Sequence, residues 1–252
     1  FIVWFEPERA IKDSDWAYEH SEYMLLAGGG KPVPHAIDRK TQDSFLVNLG
    51  DEDANKWLRE NIAKLIRDNR IDHYRQDYNI DPEWFWYSND EPGRNGICEI
   101  KYITGLYKFW DYLRSEFPNL YIDNCAGGGR RLDLEATSRS IPLWRTDYNY
   151  GEPIGYQCHT YGLGQWLPVS GTCLAKSDVF STRSSYGAAI TFNWKITSAD
   201  FNILEMQKRL AEFHDIRPYF LEDFYPLTGY GDTTSDAIWL AYQLDRKSDR
   251  SG

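Results

Sequence analysis

The sequence lacks the excess of basic residues that proteins use to bind nucleic acid or anionic membranes. It has 28 Lys and Arg against 38 Asp and Glu in 252 residues, a formal net charge of −10 and a pI of about 5.0. Long apolar runs are missing too, since none approaches the roughly 20 residues that a membrane-spanning helix needs. We therefore expect neither nucleic acid nor a membrane as a partner.

Motifs for metal ions and nucleotide cofactors are missing as well. The five histidines show no HExxH or other metal-ligand spacing, and no GxGxxG follows a predicted strand. The four cysteines contain no CxxC pair and are too few for a disulfide framework in a chain of this size. The sequence therefore predicts no metal and no cofactor. The compartment stays open, with a bacterial cytoplasm or periplasm expected, because the apolar start at residues 1–5 is too short for a signal peptide.

Aromatic residues, by contrast, are abundant. They make up 16% of the chain, with 10 Trp and 18 Tyr. Many lie near predicted strand ends and loops, where they either stack on the apolar faces of sugar rings or fill the core. The composition leaves both interpretations open, and Trp4, Trp144 and Trp166 are the candidates for contact with a sugar.

Predicted strands alternate with predicted helices along most of the chain, which favours a parallel βα architecture. Six core strands are predicted, near residues 1–5, 71–76, 120–123, 141–146, 165–170 and 188–194. A (β/α)8 TIM-type barrel needs eight, and because the sequence starts within a strand we expect the two missing units to precede it. We therefore expect an α/β fold with six of the eight βα units over residues 1–225. A linker and the first strand of a C-terminal antiparallel β-domain are expected over residues 226–252, since the tail from Ala237 alternates.

Apolar residues at helical spacing predict three long helices. They run from the Asp51 cap to Asn69, from Ile97 to Phe117, and from a capping box at Thr197 to Ile216. Between the regular elements we expect residues 10–45 to be mostly irregular. The proline-containing segment 81–96 is expected to be non-helical, and residues 148–166 to form a long loop.

Two of the predicted strands end on a carboxylate, and these are the strongest candidates for chemistry. Asp77 ends the strand near 71–76, and Asp147 ends the strand near 141–146. Carboxyl ends of different barrel strands can bring two carboxyl groups to the ~5–5.5 Å separation that a retaining glycosidase needs. Arg75 lies on the same strand face as Asp77, where its charge would lower the pKa of Asp77 or bind a sugar hydroxyl. The spacing leaves open the alternative that each Asp caps the loop or helix that follows.

A glycine turn, Gly127-Gly128-Gly129, follows the third predicted strand. Glycine lets the backbone approach a ligand closely, so Gly127 and Gly128 are candidates for contact with a sugar hydroxyl, with a flexible turn as the alternative. Cys125 beside the turn has no histidine nearby in the sequence to activate it. We therefore interpret Cys125 as part of a pocket wall.

Four motifs occur together in a characteristic order: Trp4-Phe5-Glu6-Pro7-Glu8, Asp77-Tyr78-Asn79, Cys125-Ala126-Gly127-Gly128-Gly129-Arg130 and Trp144-Arg145-Thr146-Asp147. From Phe1 to about Tyr225 the chain resembles the catalytic domain of glycoside hydrolase family 36 (melibiase), the α-galactosidases. The resemblance implies a (β/α)8 barrel flanked by β-domains, and an exo-acting, retaining hydrolysis of α-galactosides that needs no cofactor.

The resemblance also implies roles for individual residues. Asp77 falls on the nucleophile and Asp147 on the general acid/base. Arg75 falls on a residue that binds sugar hydroxyls, Cys125 and the glycine turn on the loop near the sugar's 2-substituent, and Trp144 on a Trp near the acid/base.

The chain departs from the family pattern at three places. Arg75-Gln76-Asp77 stands where Lys-Trp-Asp is usual, a second Asp after Asp147 is absent, and the Asp-Asp-Gly-Trp motif that grips the galactose 4- and 6-hydroxyls is missing. We therefore expect a divergent branch. The sequence leaves open an α-N-acetylgalactosaminidase or α-galactosaminidase, and also a non-catalytic fragment that binds sugar at most. Expected partners are an α-galactoside and either other copies of the chain or a preceding part of the same protein.

Overall fold

The computed structural model describes residues 1–30, 43–147, 153–171, 173–174, 176–231, 237 and 239–246. By its internal contacts the chain divides into two compact units, Phe1–Ser140 and Ile141–Gly252. The elements of the first unit are β1 (Ile2–Phe5), β2 (Arg9–Ile11), α1 (Asp15–Glu19), β3 (Met24–Leu25), β4 (Ser44–Val47), α2 (Glu52–Asn69), β5 (His73–Gln76), α3 (Glu83–Ser88), α4 (Ile97–Glu116), β6 (Tyr121–Asn124) and α5 (Leu134–Thr137), with 3-10 turns at Ser21–Tyr23 and Ala27–Gly30.

A parallel sheet with the strand order β1-β5-β6 lies at the centre of the first unit. Side chains alternate along β5, where Tyr74 and Gln76 are buried while His73 and Arg75 are half-buried. The helix α2 precedes β5 and α4 precedes β6, as parallel neighbours with helical crossovers require. Three of the six predicted strands are therefore confirmed as neighbours in one parallel sheet.

The helices α2 and α4 form most of the core that covers this sheet. Asp51 caps α2, since its Oδ1 accepts hydrogen bonds from the backbone N–H groups of Asp53 and Ala54, both at 3.0 Å. The two helices contribute Leu58, Ile62, Ile66, Tyr102, Leu106, Phe109, Trp110 and Leu113 to the core. The predicted bounds are confirmed to within a residue. Leu65 and Ile100 belong to the apolar positions at helical spacing that predict these helices, but they are 40% and 63% exposed, because the buried stripe is narrower than the apolar pattern.

Two segments of the first unit contain regular structure that the sequence does not predict. β2, β4 and β3 form an antiparallel sheet in that order, and these strands overlap residues 10–45, which are expected to be mostly irregular. These strands have two to four residues, too few for a period of two to stand out. In the segment 81–96 the helix α3 forms with Pro82 at its N-cap, where the missing backbone N–H breaks no helical hydrogen bond. The expectation of a non-helical segment is therefore wrong at α3.

The second unit contains α6 (Pro153–Gly162), β7 (Cys173–Leu174), α7 (Val179–Ser184), β8 (Thr191–Phe192), α8 (Ile203–Ile216), β9 (Asp223–Pro226) and β10 (Tyr242–Asp245), with 3-10 turns at Leu163–Gln165 and Arg217–Leu221. A parallel bridge joins Trp144 to Gly171, and β7 pairs in parallel with β8. β9 and β10 pair antiparallel, which confirms an antiparallel strand in the tail.

The strand expected at 165–170 is wrong, because a 3-10 turn ends there and pairing starts only at Gly171. A Cβ atom at Gly171 would lie 2.9 Å from Leu143 O and 3.0 Å from Ala189 O, so only glycine permits this close approach. The strands expected at 141–146 and 188–194 are correspondingly short, a single bridge and the two residues of β8.

Two further expectations for the second unit are wrong. α6 lies within the segment expected to be a loop, of which residues 148–152 fall outside the described part of the chain. The last long helix begins at Ile203 instead of Thr197, because Asn202 is its N-cap and accepts from the backbone N–H of Glu205 at 3.0 Å. β9 spans the domain boundary expected between residues 225 and 226. The number of barrel units and the C-terminal domain stay predictions.

Candidate active site

Two rows of side chains cross the carboxyl edge of the parallel sheet in the first unit. Trp4 of β1 is in register with Arg75 of β5, and Arg75 is in register with Asp123 of β6. The next row holds Asp77 and Cys125, because the backbone N–H of Asp77 donates to the last carbonyl of β1 at 2.8 Å and that of Cys125 to the last carbonyl of β5 at 2.7 Å. Register partners, and residues two positions further on, point to the same face. The sheet therefore brings four predicted site residues to one edge.

The carboxylate of Asp77 is surrounded by hydrogen-bond donors, and the residue is only 9% exposed. Trp4 Nε1 donates to Oδ2 at 3.0 Å, and the backbone N–H of Tyr78 donates to Oδ1 at 2.7 Å. The side chains of Asn79 and Cys125 also hydrogen-bond to Asp77. Burial alone would raise the pKa of Asp77, but these four donors favour the charged form and hold the pKa below its usual value. Asp77 is thus kept ionised, as a nucleophile must be.

Arg75 forms an ion pair with Asp123, which is 1% exposed. Burial alone would lower the pKa of Arg75, but the charge and hydrogen bond of Asp123 raise it, with smaller contributions from Cys125 and Asp77. One role predicted for Arg75 is to lower the pKa of Asp77, but hydrogen-bond donors are what lower it. In the described part of the chain Nη1 alone among the guanidinium nitrogens has a partner, so the other N–H groups of Arg75 are available to a ligand.

The Cys125 thiol is buried beside the glycine turn. Burial raises the pKa of Cys125 to about 12, and the nearby charge of Asp77 acts in the same direction. The Cys125 Sγ lies 4.0 Å from Gly128 O, and Gly127 and Gly128 have φ angles of 53° and 88°. Glycine adopts this left-handed region without strain, which lets the turn fold back against the thiol. Cys125 is therefore a protonated thiol at neutral pH, beside both Asp77 and the Gly128 carbonyl, in keeping with a pocket wall.

Several polar residues at this edge are not among the site residues predicted from the sequence. Asp123 is the last residue of the strand predicted at 120–123, the same pattern that identifies Asp77, and β6 itself continues to Asn124. Asn79 lies two residues after Asp77, the same-face spacing of a strand. Glu6 and Glu8 alternate with Trp4 in one motif, but only the contacts of the folded chain reveal what they bind.

Trp144 and Asp147 lie together in the second unit. Trp144 Nε1 donates to Asp147 Oδ1 at 2.6 Å, and Asp147 is exposed. Arg145 between them is 2% exposed, and its Nη2 donates to Tyr156 O at 3.2 Å and to Thr160 Oγ1 at 2.9 Å. The buried guanidinium therefore anchors this segment to α6, while the candidate acid/base stays open to solvent.

Trp166 directly follows a 3-10 turn and is 82% exposed, so its ring has room to contact a ligand. Asp77 and Asp147 belong to different units, and their pairing stays a prediction.

Among the described residues no cluster of three or more His, Cys, Asp or Glu is arranged to hold a metal ion. Within the same ranges, no helix combines the length and apolar character needed to span a membrane.

Comparison with known proteins links these motifs to one family. The family model described as Melibiase matches residues 1–166. The α-galactosidase 1 of Pediococcus pentosaceus is 24% identical over 95% of this chain and 33% of its own length, and an α-galactosidase of Geobacillus stearothermophilus is 22% identical over 98% of this chain and 34% of its own.

Solved structures show the same α/β fold. An α-galactosidase from Lactobacillus brevis aligns with a TM-score of 0.78 at 20% identity, over 98% of this chain and 34% of that one. A family 36 α-galactosidase from Geobacillus stearothermophilus in complex with stachyose aligns with a TM-score of 0.74 at 19% identity, over 90% of this chain and 33% of that one. The chain thus spans about a third of the length of these relatives. Since the family model covers more than half of it, the chain belongs to the Melibiase family, glycoside hydrolase family 36, as its motifs predict.

Proposed function

We propose that this chain carries the catalytic site of a retaining exo-α-galactosidase, which removes terminal α-linked galactose from oligosaccharides or glycoconjugates without a cofactor. The observation that supports it most is the state of Asp77, a nearly buried carboxylate at a strand end that four donors keep ionised. The relatives carry the name α-galactosidase, and one was solved with stachyose bound. An α-galactoside is accordingly the proposed substrate.

The proposed reaction has two balanced steps. In the first, an Asp77 oxygen attacks the anomeric carbon while the glycosidic bond breaks, and the carboxylic acid of Asp147 gives its proton to the departing oxygen. In the second, the Asp147 carboxylate takes a proton from water, the resulting oxygen attacks the anomeric carbon, and Asp77 leaves. Inversion occurs twice, so the released galactose keeps the α configuration.

The remaining site residues would hold the sugar. We assign the available N–H groups of Arg75 to sugar hydroxyls, and Gly127, Gly128 and Cys125 to the side of the 2-substituent. Trp4 lies beside Asp77 and is 52% exposed, which allows its indole to hold the carboxylate and also to face the ring of the substrate. Trp144 would orient the acid/base, and Trp166 would stack on the leaving group.

We place this chemistry in a (β/α)8 barrel to which residues 1–225 contribute about six βα units. Residues 226–252 would begin a C-terminal β-domain. The remaining strands of the barrel would come from other parts of the same protein or from another copy of the chain.

Replacing Asp77 by Gly in the full-length protein tests the assignment of the nucleophile. We expect Asp77→Gly to abolish hydrolysis of an activated aryl α-galactoside, and added azide to restore turnover with β-galactosyl azide as the product. Glu60→Ala, which removes an exposed carboxylate from α2, serves as the control and should leave activity unchanged. Turnover by Asp77→Gly without azide would rule out Asp77 as the nucleophile.

A further inference from the structure

A buried ion pair lies next to the Asp77 site in the first unit. Glu8 is 0% exposed and Arg131 is 8% exposed. Arg131 donates to both oxygens of Glu8, from Nη1 at 2.8 Å and from Nη2 at 2.7 Å. The Tyr102 hydroxyl and, at 2.6 Å, Gln76 Nε2 also donate to the Glu8 carboxylate. Burial alone would lower the pKa of Arg131, but Glu8 raises it above its usual value, so the guanidinium stays charged.

An ion pair of this kind is weak evidence for stabilisation. Removing two charges from water costs free energy that an apolar pair of the same shape does not, and such a replacement is often neutral or stabilising. What the pair offers in exchange is a set of directional contacts in fixed geometry. The effect of the ion pair on the structure therefore depends on which parts of the chain those contacts hold in place.

The contacts of the pair reach the residues on both sides of Asp77. Before it, Gln76 donates to Glu8, while its Oε1 accepts from Trp110 Nε1 at 2.8 Å. After it, the ring of Tyr78 lies under the guanidinium of Arg131, with 4.6 Å between the guanidinium carbon and the ring centroid. One ion pair thus contacts the side chains of the residues immediately before and immediately after the proposed nucleophile.

Alternate residues of the first motif reach this same segment. Trp4 Nε1 donates to the Asp77 carboxylate at 3.0 Å. Glu6 Oε1 accepts from the backbone N–H of Asn79 at 2.8 Å, and Glu8 holds the residue before Asp77. The alternate residues Trp4, Glu6 and Glu8 therefore contact three of the four residues 76–79, and Arg131 contacts the fourth, Tyr78.

We propose that Glu8 and Arg131 are positioning residues for Asp77, which hold the nucleophile in line with the anomeric carbon without touching the sugar. The proposal rests on the proposed function, because it assigns a purpose to the geometry of that nucleophile. A displacement of about 1 Å at a reacting atom, caused from outside the reacting groups, can reduce a rate by about 100-fold. Glu8 is fully buried, and among the described residues its side chain reaches the neighbours of Asp77 through Gln76 and through Arg131.

Two variants of different severity test the proposal in the full-length protein. Glu8→Gln keeps the shape of the side chain but removes the charge that Arg131 binds. Tyr102→Phe removes one hydrogen bond to Glu8 without leaving a charge unpaired. With an activated aryl α-galactoside, we expect kcat to fall about 100-fold in Glu8→Gln and about 3- to 10-fold in Tyr102→Phe, with KM within about threefold of the wild type. The acid limb of the pH profile should move upward in Glu8→Gln, because Asp77 shifts away from its donors.

A core variant separates positioning from loss of stability. Ile62→Ala removes buried volume from α2, and no polar contact links Ile62 to the ion pair among the described residues. We expect it to lower Tm at least as much as Tyr102→Phe while kcat stays within about twofold below the transition. The proposal is wrong if folded Tyr102→Phe and Glu8→Gln keep the wild-type kcat and pH profile, or if Ile62→Ala loses as much kcat at an equal drop in Tm. Should Glu8→Gln not fold, Tyr102→Phe decides the matter.

Failure of the proposed function gives a different result. An inactive wild-type protein, or an active Asp77→Gly variant, would refute the proposed reaction whatever the Glu8 variants do. An active wild type with an inactive Asp77→Gly, combined with unchanged kcat in Tyr102→Phe and Glu8→Gln, would refute the positioning role alone.

Discussion

Replacement of Trp4 by Phe removes one donor from Asp77 and keeps an aromatic ring in its place. Trp4 Nε1 donates to Asp77 Oδ2 at 3.0 Å, and it is one of four donors that hold the pKa of Asp77 below its usual value. A hydrogen bond to a charged group contributes about 1.5–3 kcal/mol. Because Trp4 is 52% exposed, water can partly replace the lost N–H, so the lower figure applies. A change of ~1.4 kcal/mol alters the ratio of protonated to ionised Asp77 about tenfold.

The sign of the effect follows from the ionised form being the reactive one. The pKa of Asp77 is depressed in the folded chain, so activity is present above it and is lost as the pH falls through it. Removing a donor raises that pKa, and the acid limb of kcat/KM moves to higher pH. We expect Trp4→Phe to lose about tenfold more activity than the wild type on the acid side of the profile, and much less at neutral pH.

The assay is the pH profile of kcat/KM with an activated aryl α-galactoside, for the full-length wild type and variants. Trp57→Phe is the matched control, because Trp57 packs against Trp16, His20 and Tyr23 and makes no described contact with Asp77. If Trp4 acts only through contact with the sugar, Trp4→Phe will lower kcat/KM equally at every pH. An acid limb that superimposes on the wild type would refute the electrostatic reasoning.

Three further outcomes follow from the site. In kinetic assays Cys125→Ser should retain most of the activity and Cys125→Ala should lose more of it, because only the serine keeps a group that can donate to Asp77. Equal losses in the two variants would contradict this. Gly127→Ala should lower the free energy of unfolding by about 1–2 kcal/mol in denaturant titrations, since its φ is 53°. Gly164→Ala should not, since a Cβ there would make only an ordinary contact with Thr160 Cγ2 at 4.0 Å and its φ is not positive. Asp147→Ala should depress turnover far more for an alkyl than for a nitrophenyl leaving group, because only the former needs protonation; equal depression would argue against Asp147 as the acid.

The parts of the fold that the sequence predicts are those with long periodic signals. α2 and α4 have 18 and 20 residues, which give several helical repeats between clear boundaries such as the Asp51 cap and Pro118. β7 and β8 have two residues each, so no alternation exists to detect. Their position depends instead on where Gly171 allows close approach, and that is a property of packed neighbours.

The site shows the same division between local and cross-strand information. Asp77 is predictable because a carboxylate at the end of a buried strand is a local pattern. That Asp123 binds Arg75 depends on the register of β5 with β6, which the sequence does not display. The four donors to Asp77 likewise come from residues as far apart as Trp4 and Cys125.

The register also separates the two departures from the family pattern beside the nucleophile. Gln76 faces the core, where it donates to Glu8 and accepts from Trp110, so the polar side chain is satisfied on the buried side of the sheet. Arg75 faces the site, and its guanidinium forms an ion pair with Asp123. A guanidinium is planar and carries several N–H donors, whereas the lysine that is usual at this position carries a single ammonium group. The two substitutions are neighbours in sequence but lie on opposite faces of β5. The change at Gln76 therefore belongs to the packing around Asp77, and the change at Arg75 is the one that bears on the proposed contact with sugar hydroxyls.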